Sequence, residues 1–253
     1  MLTIERRNKI LEILKTDGRV VVGDLSAMFK VTEETIRRDL EKLENQGFAK
    51  KTYGGAIIAD NATVDIPFLI RKQSNVESKE HIAALVCSMV DDGDHLMLDA
   101  SSTAVYIAKQ LKSKKNLTLI TNSIEIMLEL SDISGWKILS TGGTLREGSL
   151  SLVGYQAEKM ISTFHVDKSI ISCKGIDIRK GITDSNEMDA HIKKLMLESS
   201  NMKILAVDQT KFNRISFTKI EDISGVDTIV TDKQPSEDWK NVFENNNTNY
   251  RYK

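Results

Sequence analysis

Cysteine is nearly absent from this chain. Cys87 and Cys173 are the only two in 253 residues, too few for a disulfide framework and too far apart for metal-ligand spacing. That usage belongs to a reducing compartment, so the expected location is the cytoplasm. The four histidines, His81, His95, His165 and His191, are scattered without ligand spacing, and no metal or cofactor is expected. No stretch approaches the roughly 18 uninterrupted apolar residues of a membrane span, so no membrane partner is expected. The start, Met1-Leu2-Thr3-Ile4-Glu5-Arg6-Arg7, lacks the charged-then-apolar order of a signal peptide. Gly-x-Ser-x-Gly elbows and Walker phosphate loops are missing too, which removes two common catalytic classes. Charge of one sign is not in excess either, the net being −1. There are no internal repeats and no low-complexity tract. The nearest approach to one, Asn245-Asn246-Asn247 in a polar tail, reads as frayed surface.

What is present is an ordinary globular composition, 40% hydrophobic and 28% charged, in a chain long enough for two domains. Residues 1–58 carry 11 Lys/Arg against 9 Asp/Glu, a mild basic bias. Within 4–15, Ile4, Ile10, Leu11 and Leu14 form one helical stripe, with Arg6, Arg7, Lys9 and Lys15 elsewhere, and Asp17-Gly18 stops the helix. After the β-branched run Val20-Val21-Val22, Asp24 is positioned to cap a short helix from Leu25 to Phe29. Lys30-Val31 makes a turn, and Thr32 caps a longer helix reaching about Gln46, with Gly47 beyond. Residues 48–52 and 56–58 flank Tyr53-Gly54-Gly55 as a hairpin.

Short helix, tight turn, second helix and basic hairpin follow the order of a winged helix-turn-helix. On the second helix Ile36, Leu40 and Leu43 form the buried stripe. Arg38 lies opposite it, with Thr35 and Lys42 on one shoulder and Arg37 on the other. Arginines near the start of an exposed helix suit major-groove reading, because each guanidinium can donate a bidentate pair to guanine. Thr35 suits a phosphate or a thymine methyl, and Lys50, Lys51 and Tyr53 suit backbone contacts from the wing. Paired arginines on an isolated helix more often form a solvated face. The surrounding order of elements tips the reading toward double-stranded DNA.

Residues 59–76, with Pro67, lack a period and are expected to be a linker. From 77 to 253 apolar strands alternate with helices. The strands are expected at 95–99, 117–121, 137–141, 168–173, 203–207 and 227–231, and the helices at 78–90, 102–113, 123–130, 152–163 and 186–200. That alternation predicts a doubly wound, mostly parallel α/β domain. Several strands end in small hydroxyl residues, a pattern suited to cradling phosphate where a helix begins: Asp99-Ala100-Ser101-Ser102-Thr103, Thr121-Asn122-Ser123, and Thr141-Gly142-Gly143-Thr144. Each alone is an ordinary helix cap, but three in succession suggest a pocket. Lys174 and Lys211 are candidate cations for a phosphate. Asp177 and Glu187 are candidate acceptors for sugar hydroxyls.

The run from Arg6 to Ala56 resembles the DeoR family of bacterial regulators. The residues that carry the likeness are Arg6-Arg7, Leu25-Ser26, Thr35-Ile36-Arg37-Arg38-Asp39-Leu40, Leu43-Glu44 and Gly54-Gly55-Ala56. It continues through the Asp99 to Thr103, Thr121 to Ser123, Thr141 to Gly143, Gly175 to Asp177 and Asp208-x-x-Lys211-Phe212 segments, over nearly the whole chain. The resemblance implies a sensor domain related to ribose-5-phosphate isomerase and CoA-transferase folds, and a sugar-phosphate effector. It also implies a homodimer or homotetramer acting as a repressor of carbohydrate use. Many members have a small residue where this chain has Lys174, which leaves the identity of the effector open. The rival reading is an isomerase, for which Asp99 and Glu187 are available carboxylates. A DNA-binding domain fits regulation better than turnover, and no enzyme activity is expected.

Overall fold

A computed structural model describes residues 3–45, 48–58 and 66–252 of the chain, apart from the side chains of residues 4, 15, 16 and 58. The expectations placed on Gln46, Gly47 and the first part of the linker, and on the side chain of Ile4 in the apolar stripe, lie outside the described residues. Contacts divide the chain into two units, Met1–Ser74 and Asn75–Lys253.

The first unit opens with α1 (Thr3–Asp17), β1 (Arg19–Val21), α2 (Val22–Phe29) and α3 (Glu33–Asn45), followed by β2 (Ala49–Thr52), β3 (Gly55–Ile58) and α4 (Phe68–Gln73). The strands form an antiparallel sheet in the order β1-β3-β2, so the β-branched run before α2 is the third strand of the wing. Gly55 is required there, since a Cβ would sit 1.9 Å from the Val20 carbonyl oxygen. Asp24 is not a cap. The Val22 N–H donates to the Gly54 carbonyl at 2.8 Å, so the wing satisfies the first turn of α2 and the helix starts ahead of Asp24. Thr32 does cap α3, accepting from the Thr35 N–H at 3.3 Å, and Lys30 takes a left-handed conformation (φ 53°) in the turn before it. Ile10, Leu11 and Leu14 of α1 pack with Leu25, Ile36, Leu40 and Leu43 in one core, joined by Ile70 of α4, which falls within the stretch 59–76.

An ion-pair cluster centred on a buried carboxylate also joins α1 to α3. Asp39, 2% exposed on α3, accepts from Arg6 at 2.6 Å and from Arg7 at 2.9 Å. Removing one member of such a cluster strands a buried charge.

The second unit is built on a seven-stranded sheet. Its members are β4 (His95–Leu98), β5 (Thr118–Thr121), β6 (Lys137–Ser140), β9 (Val166–Ile171), β12 (Ser200–Ala206), β14 (Thr228–Val230) and β15 (Asn249–Arg251). Every neighbouring pair is parallel, in the order β15-β14-β12-β9-β4-β5-β6. Helices α5 (Val76–Cys87), α6 (Ser102–Leu111), α7 (Ile124–Glu129), α8 (Tyr155–Ile161), α9 (Glu187–Glu198) and α10 (Glu237–Asn245) alternate with the strands. The chain starts in the middle at β4, moves outward to β6, then returns to β9 on the other side of β4. The order therefore reverses between β4 and β9.

Three features depart from the alternation read in the sequence. Residues 144–153, with part of the helix expected from 152, form a hairpin of β7 (Thr144–Arg146) and β8 (Ser151–Val153), and α8 begins only at Tyr155. A small antiparallel sheet of β10 (Gly175–Asp177), β11 (Gly181–Asp184) and β13 (Thr218–Glu221) caps one end. The tail is ordered as α10 and β15, with Trp239 and Phe243 buried and Thr248 hydroxyl bonds to Ile223 and Val226. Asn245 to Asn247 end the helix and turn the chain back rather than fraying.

Replacing Asp39 with alanine should lower the stability of the first unit by about 3 kcal/mol. A thermal-unfolding experiment on the full chain should show the first unit's transition shifted and that of the parallel-sheet unit unchanged; an unaltered first transition would show that the ion pair does not fix α1.

Candidate nucleic-acid interface and ligand site

On α3, Arg37 and Arg38 project to solvent, each held by a glutamate one turn earlier: Arg37 to Glu33 at 2.6 Å and Arg38 to Glu34 at 3.3 Å. Exposed pairs of this spacing are worth about 0.4 kcal/mol each, little enough to exchange for a base edge. Thr35 is half-buried, its hydroxyl 2.9 Å from that of Thr32, and Lys42 is exposed near the end of the same helix. Lys50, Lys51 and Tyr53 are exposed on the β2–β3 hairpin, Tyr53 fully so at its tip. Lys51 is tied to α3, its N–H donating to Glu44 at 2.7 Å, which couples the wing to the reading helix. The side chains proposed to touch DNA are thus exposed or half-exposed, while Ile36, Asp39, Leu40 and Leu43 face inward.

In the second unit, parallel strands place the loops after β4, β5, β6, β9 and β12 at one edge of the sheet, and crevices form where the strand order reverses. Asp99 stands at that reversal. It is 0% exposed, and its carboxylate accepts from the N–H of Ser101 at 3.1 Å and from that of Ser172, beyond β9, at 3.0 Å. Immediately after it, Ser101 caps α6 by accepting from Ala104 N–H at 3.0 Å. The Ser101 hydroxyl therefore serves the helix, while Ser102 and Thr103 lie buried in its first turn. Ser123 caps α7 in the same way at 3.2 Å, and the Thr121 hydroxyl donates to the Leu98 carbonyl at 2.8 Å, tying β5 to β4. Asn122 donates to the Leu152 carbonyl at 3.1 Å, which leaves its buried Oδ1 without a hydrogen-bond partner. Among the described residues no donor reaches that oxygen, whereas buried acceptors are ordinarily paired.

The third loop differs from the sequence reading, since the β7–β8 hairpin follows it rather than a helix. Gly142 and Gly143 both have positive φ, and a Cβ on Gly143 would lie 2.6 Å from the Val153 carbonyl, so the glycines serve the turn and its close packing on β8. Lys174 is half-buried in the loop after β9, its N–H bonded to the Thr183 carbonyl at 3.0 Å. Asp177 closes the β10–β11 turn by accepting from the Arg179 and Lys180 N–H groups, both at 2.9 Å. Glu187 is exposed in the first turn of α9. Lys211 lies 3.8 Å from Asp208 beyond β12. A cavity of about 540 Å³ opens on the far side of β9, at the ends of β12 and β14, lined by Gln209, Thr210, Asn213, Asp232, Lys233 and Trp239 among others.

The sequence reading assigns no role to Asp184 or Lys193, whose charges lie beneath the loops. Lys193 of α9 bonds Asp184, at the end of β11, and lies 3.4 Å from Asp99. Burial alone would raise the Asp184 pKa, but the Lys193 and Lys174 charges, with hydrogen bonds from Lys193 and Ser185, hold it below its usual range. Burial alone would likewise lower that of Lys193, but the charges of Asp184, Asp99 and Asp189 raise it. Asp208 is also held low: the Lys211 charge, hydrogen bonds from Thr210 and the Lys79 charge outweigh its burial. Burial pushes the Cys173 thiol up to about 12, leaving it protonated and unreactive. The clue to Lys193 was available, since it occupies the buried stripe of α9 with Ala190, Met196 and Leu197.

Residues 6–62 match the family described as "DeoR-like helix-turn-helix domain" and residues 74–233 that described as "DeoR C terminal sensor domain". The chain is 43% identical to an uncharacterized HTH-type transcriptional regulator, YulB, of Bacillus subtilis, over 92% of this chain and 90% of that protein. It is 31% identical to the glycerol-3-phosphate regulon repressor of Escherichia coli, over 93% of each. Among solved structures it aligns with ribose 5-phosphate isomerase A of Methanocaldococcus jannaschii over 55% of each chain, with a TM-score of 0.41 and 15% identity.

Two outcomes follow from this geometry. Arg38→Ala should weaken specific DNA binding by about 1–3 kcal/mol and relax selectivity at one base pair; equal affinity for specific and scrambled duplexes before and after the change would remove it from base reading. For pH, a lowered Asp184 contributes stability that is complete above its ordinary pKa and is lost as pH falls through the folded value. A raised Lys193 contributes stability that is complete below its ordinary pKa and is lost as pH rises through the folded one. The second unit's unfolding temperature should therefore hold level between about pH 5 and about pH 9 and fall in more acid solution. In Asp184→Asn the acid limb should become shallower; an identical limb would place its cause elsewhere.

Proposed function

The chain belongs to the DeoR family of transcriptional regulators, and on that premise we propose that it represses a carbohydrate-utilisation operon under the control of a phosphorylated sugar or related intermediate. Like its relatives it is a regulator and not an enzyme. In this reading Arg37 and Arg38, with Thr35 and Lys42, read the major groove, and Lys50, Lys51 and Tyr53 hold the phosphate backbone. A homodimer or homotetramer would present two such helices to repeated half-sites.

The observation that carries the effector assignment is Asp99, pinned across β4 and β9 at the point where the strand order reverses, with the N-terminus of α6 directly after it. A helix N-terminus offers N–H donors and positive potential to a phosphate. The unsatisfied Asn122 Oδ1 supports a ligand that also carries hydroxyl donors. Lys174 and Lys211 are the cations assigned to the anion, and Asp177 and Glu187 the acceptors assigned to sugar hydroxyls. Thr121, Gly142 and Gly143 shape the neighbouring loops. Ligand and DNA affinity are linked only if the ligand binds one DNA-binding arrangement more tightly than the other.

The test is fluorescence anisotropy of duplexes from upstream of the protein's own gene, at fixed salt, with and without a panel of sugar phosphates. Specific binding that one compound changes supports the reading; specific binding indifferent to every phosphorylated compound would remove the sugar-phosphate effector. Ser102→Ala should leave DNA affinity intact while weakening the response to that compound about tenfold, the scale of one lost charge-assisted hydrogen bond. A full response in that variant would exclude Ser102 from the phosphate site.

A further inference from the structure

One lysine organises the buried charge of the second unit. Lys193 bonds Asp184 and lies 3.4 Å from Asp99, and these two carboxylates are 1% and 0% exposed. Asp99 also accepts from Ser101 and Ser172, and Asp184 from the Ser185 N–H at 2.7 Å. A single cation thus joins the loop that opens α6, the loop after β9, and the connection from β11 to α9. The charged groups around it are accounted for. Asp189, on α9 itself, is paired with Arg146 of β7 at 2.6 Å and accepts from Ser151 of β8 at 2.9 Å. From the loop after β9, Lys174 acts on Asp184, and Cys173 is a protonated thiol. Beyond β12, Asp208 and Lys211 pair with each other.

We propose that Lys193 is the positioning residue of the effector site: by neutralising the Asp99–Asp184 pair it holds the first turn of α6 where an anion can bind. The proposal rests on the effector site lying at that turn. Lys193 acts through Asp99, which fixes both Ser101 and Ser172 by their backbone N–H groups. Without the ammonium, two carboxylates face one another in a region of low dielectric, and both cannot stay ionised without strong repulsion. At lower pH a shared proton replaces the missing cation. At higher pH the pair carries two charges, drives the loops apart and sets extra negative potential beneath the anion. In the native protein Lys193 stays protonated throughout the neutral range, so this pH dependence does not arise.

Equilibrium binding of inorganic phosphate to the full chain tests this, at constant ionic strength from about pH 6 to about pH 8.5, for the native protein, Lys193→Met and Lys193→Arg. Inorganic phosphate itself changes charge within this range, so the quantity to compare is the ratio of variant to native affinity. Lys193→Met should bind on the order of tenfold more weakly at the alkaline end, with the ratio closing toward one at the acid end. Lys193→Arg should recover most of the affinity and have no slope of its own. A purely structural role would lower the unfolding temperature and leave the ratio independent of pH, and that result overturns the proposal while sparing the effector site. No phosphate binding by the native protein would remove the effector site, and the proposal with it. Should Lys193→Met not fold, Asp184→Asn carries the test. Leaving Lys193 to Asp99 alone makes the site one charge more positive, and phosphate should bind about threefold or more tightly; unchanged affinity there would overturn the proposal.

Discussion

Strands that all run one way cannot be joined by tight turns, so each neighbouring pair in the seven-stranded sheet needs a crossover, and every crossover leaves from the same edge. That constraint gathers loops from distant parts of the chain along one rim. Crossovers of a single hand cover both faces of an open sheet only when the strand order reverses, here between β4 and β9. At that seam the backbone ladder continues while the two following loops part, and the Asp99 carboxylate bridges the gap by holding Ser101 on one side and Ser172 on the other.

The two units solve their assembly in a similar way. In the first, Asp39 draws together two arginines of α1; in the second, Lys193 draws together two aspartates from different loops. In each case apolar packing supplies most of the stabilisation without direction, and an enclosed odd-charge cluster supplies orientation. The arrangement holds α3 on one scaffold and the first turn of α6 on another, each through a charge cluster whose central residue is buried.

Much of this was legible in the residues. The apolar strands of the main sheet, the capped recognition helix and the hydroxyl-rich strand ends all carry local signatures, and each lies close to its expected place. Other features escaped because their causes are distant in sequence. The sheet β10-β11-β13 joins Asp184 to Thr218 across a helix and a long strand, so no local period announces it. Asp24 lost its expected capping role to a carbonyl of the wing, thirty residues on. The tail looked too polar to order, yet Trp239, Phe243 and Thr248 tie it down. Around the ligand site, Asp99 and Ser101 to Thr103 were visible as a motif. Lys193 had no role assigned to it, because its two partners come from other parts of the fold.

The glutamates that hold Arg37 and Arg38 bear on how such a protein would search a genome. Glu33 and Glu34 put negative charge beside the arginines on the exposed face of α3. On an arbitrary duplex the arginines gain only phosphate contacts, and the carboxylates are repelled by that same backbone. On a matching site, in the proposed reading, the guanidiniums would swing to guanine and the loss would be repaid in directional bonds. If the proposed base reading holds, the acidic neighbours would work as a filter on residence time: they would shorten each stop on unrelated sequence and widen the gap between a chance encounter and a true address.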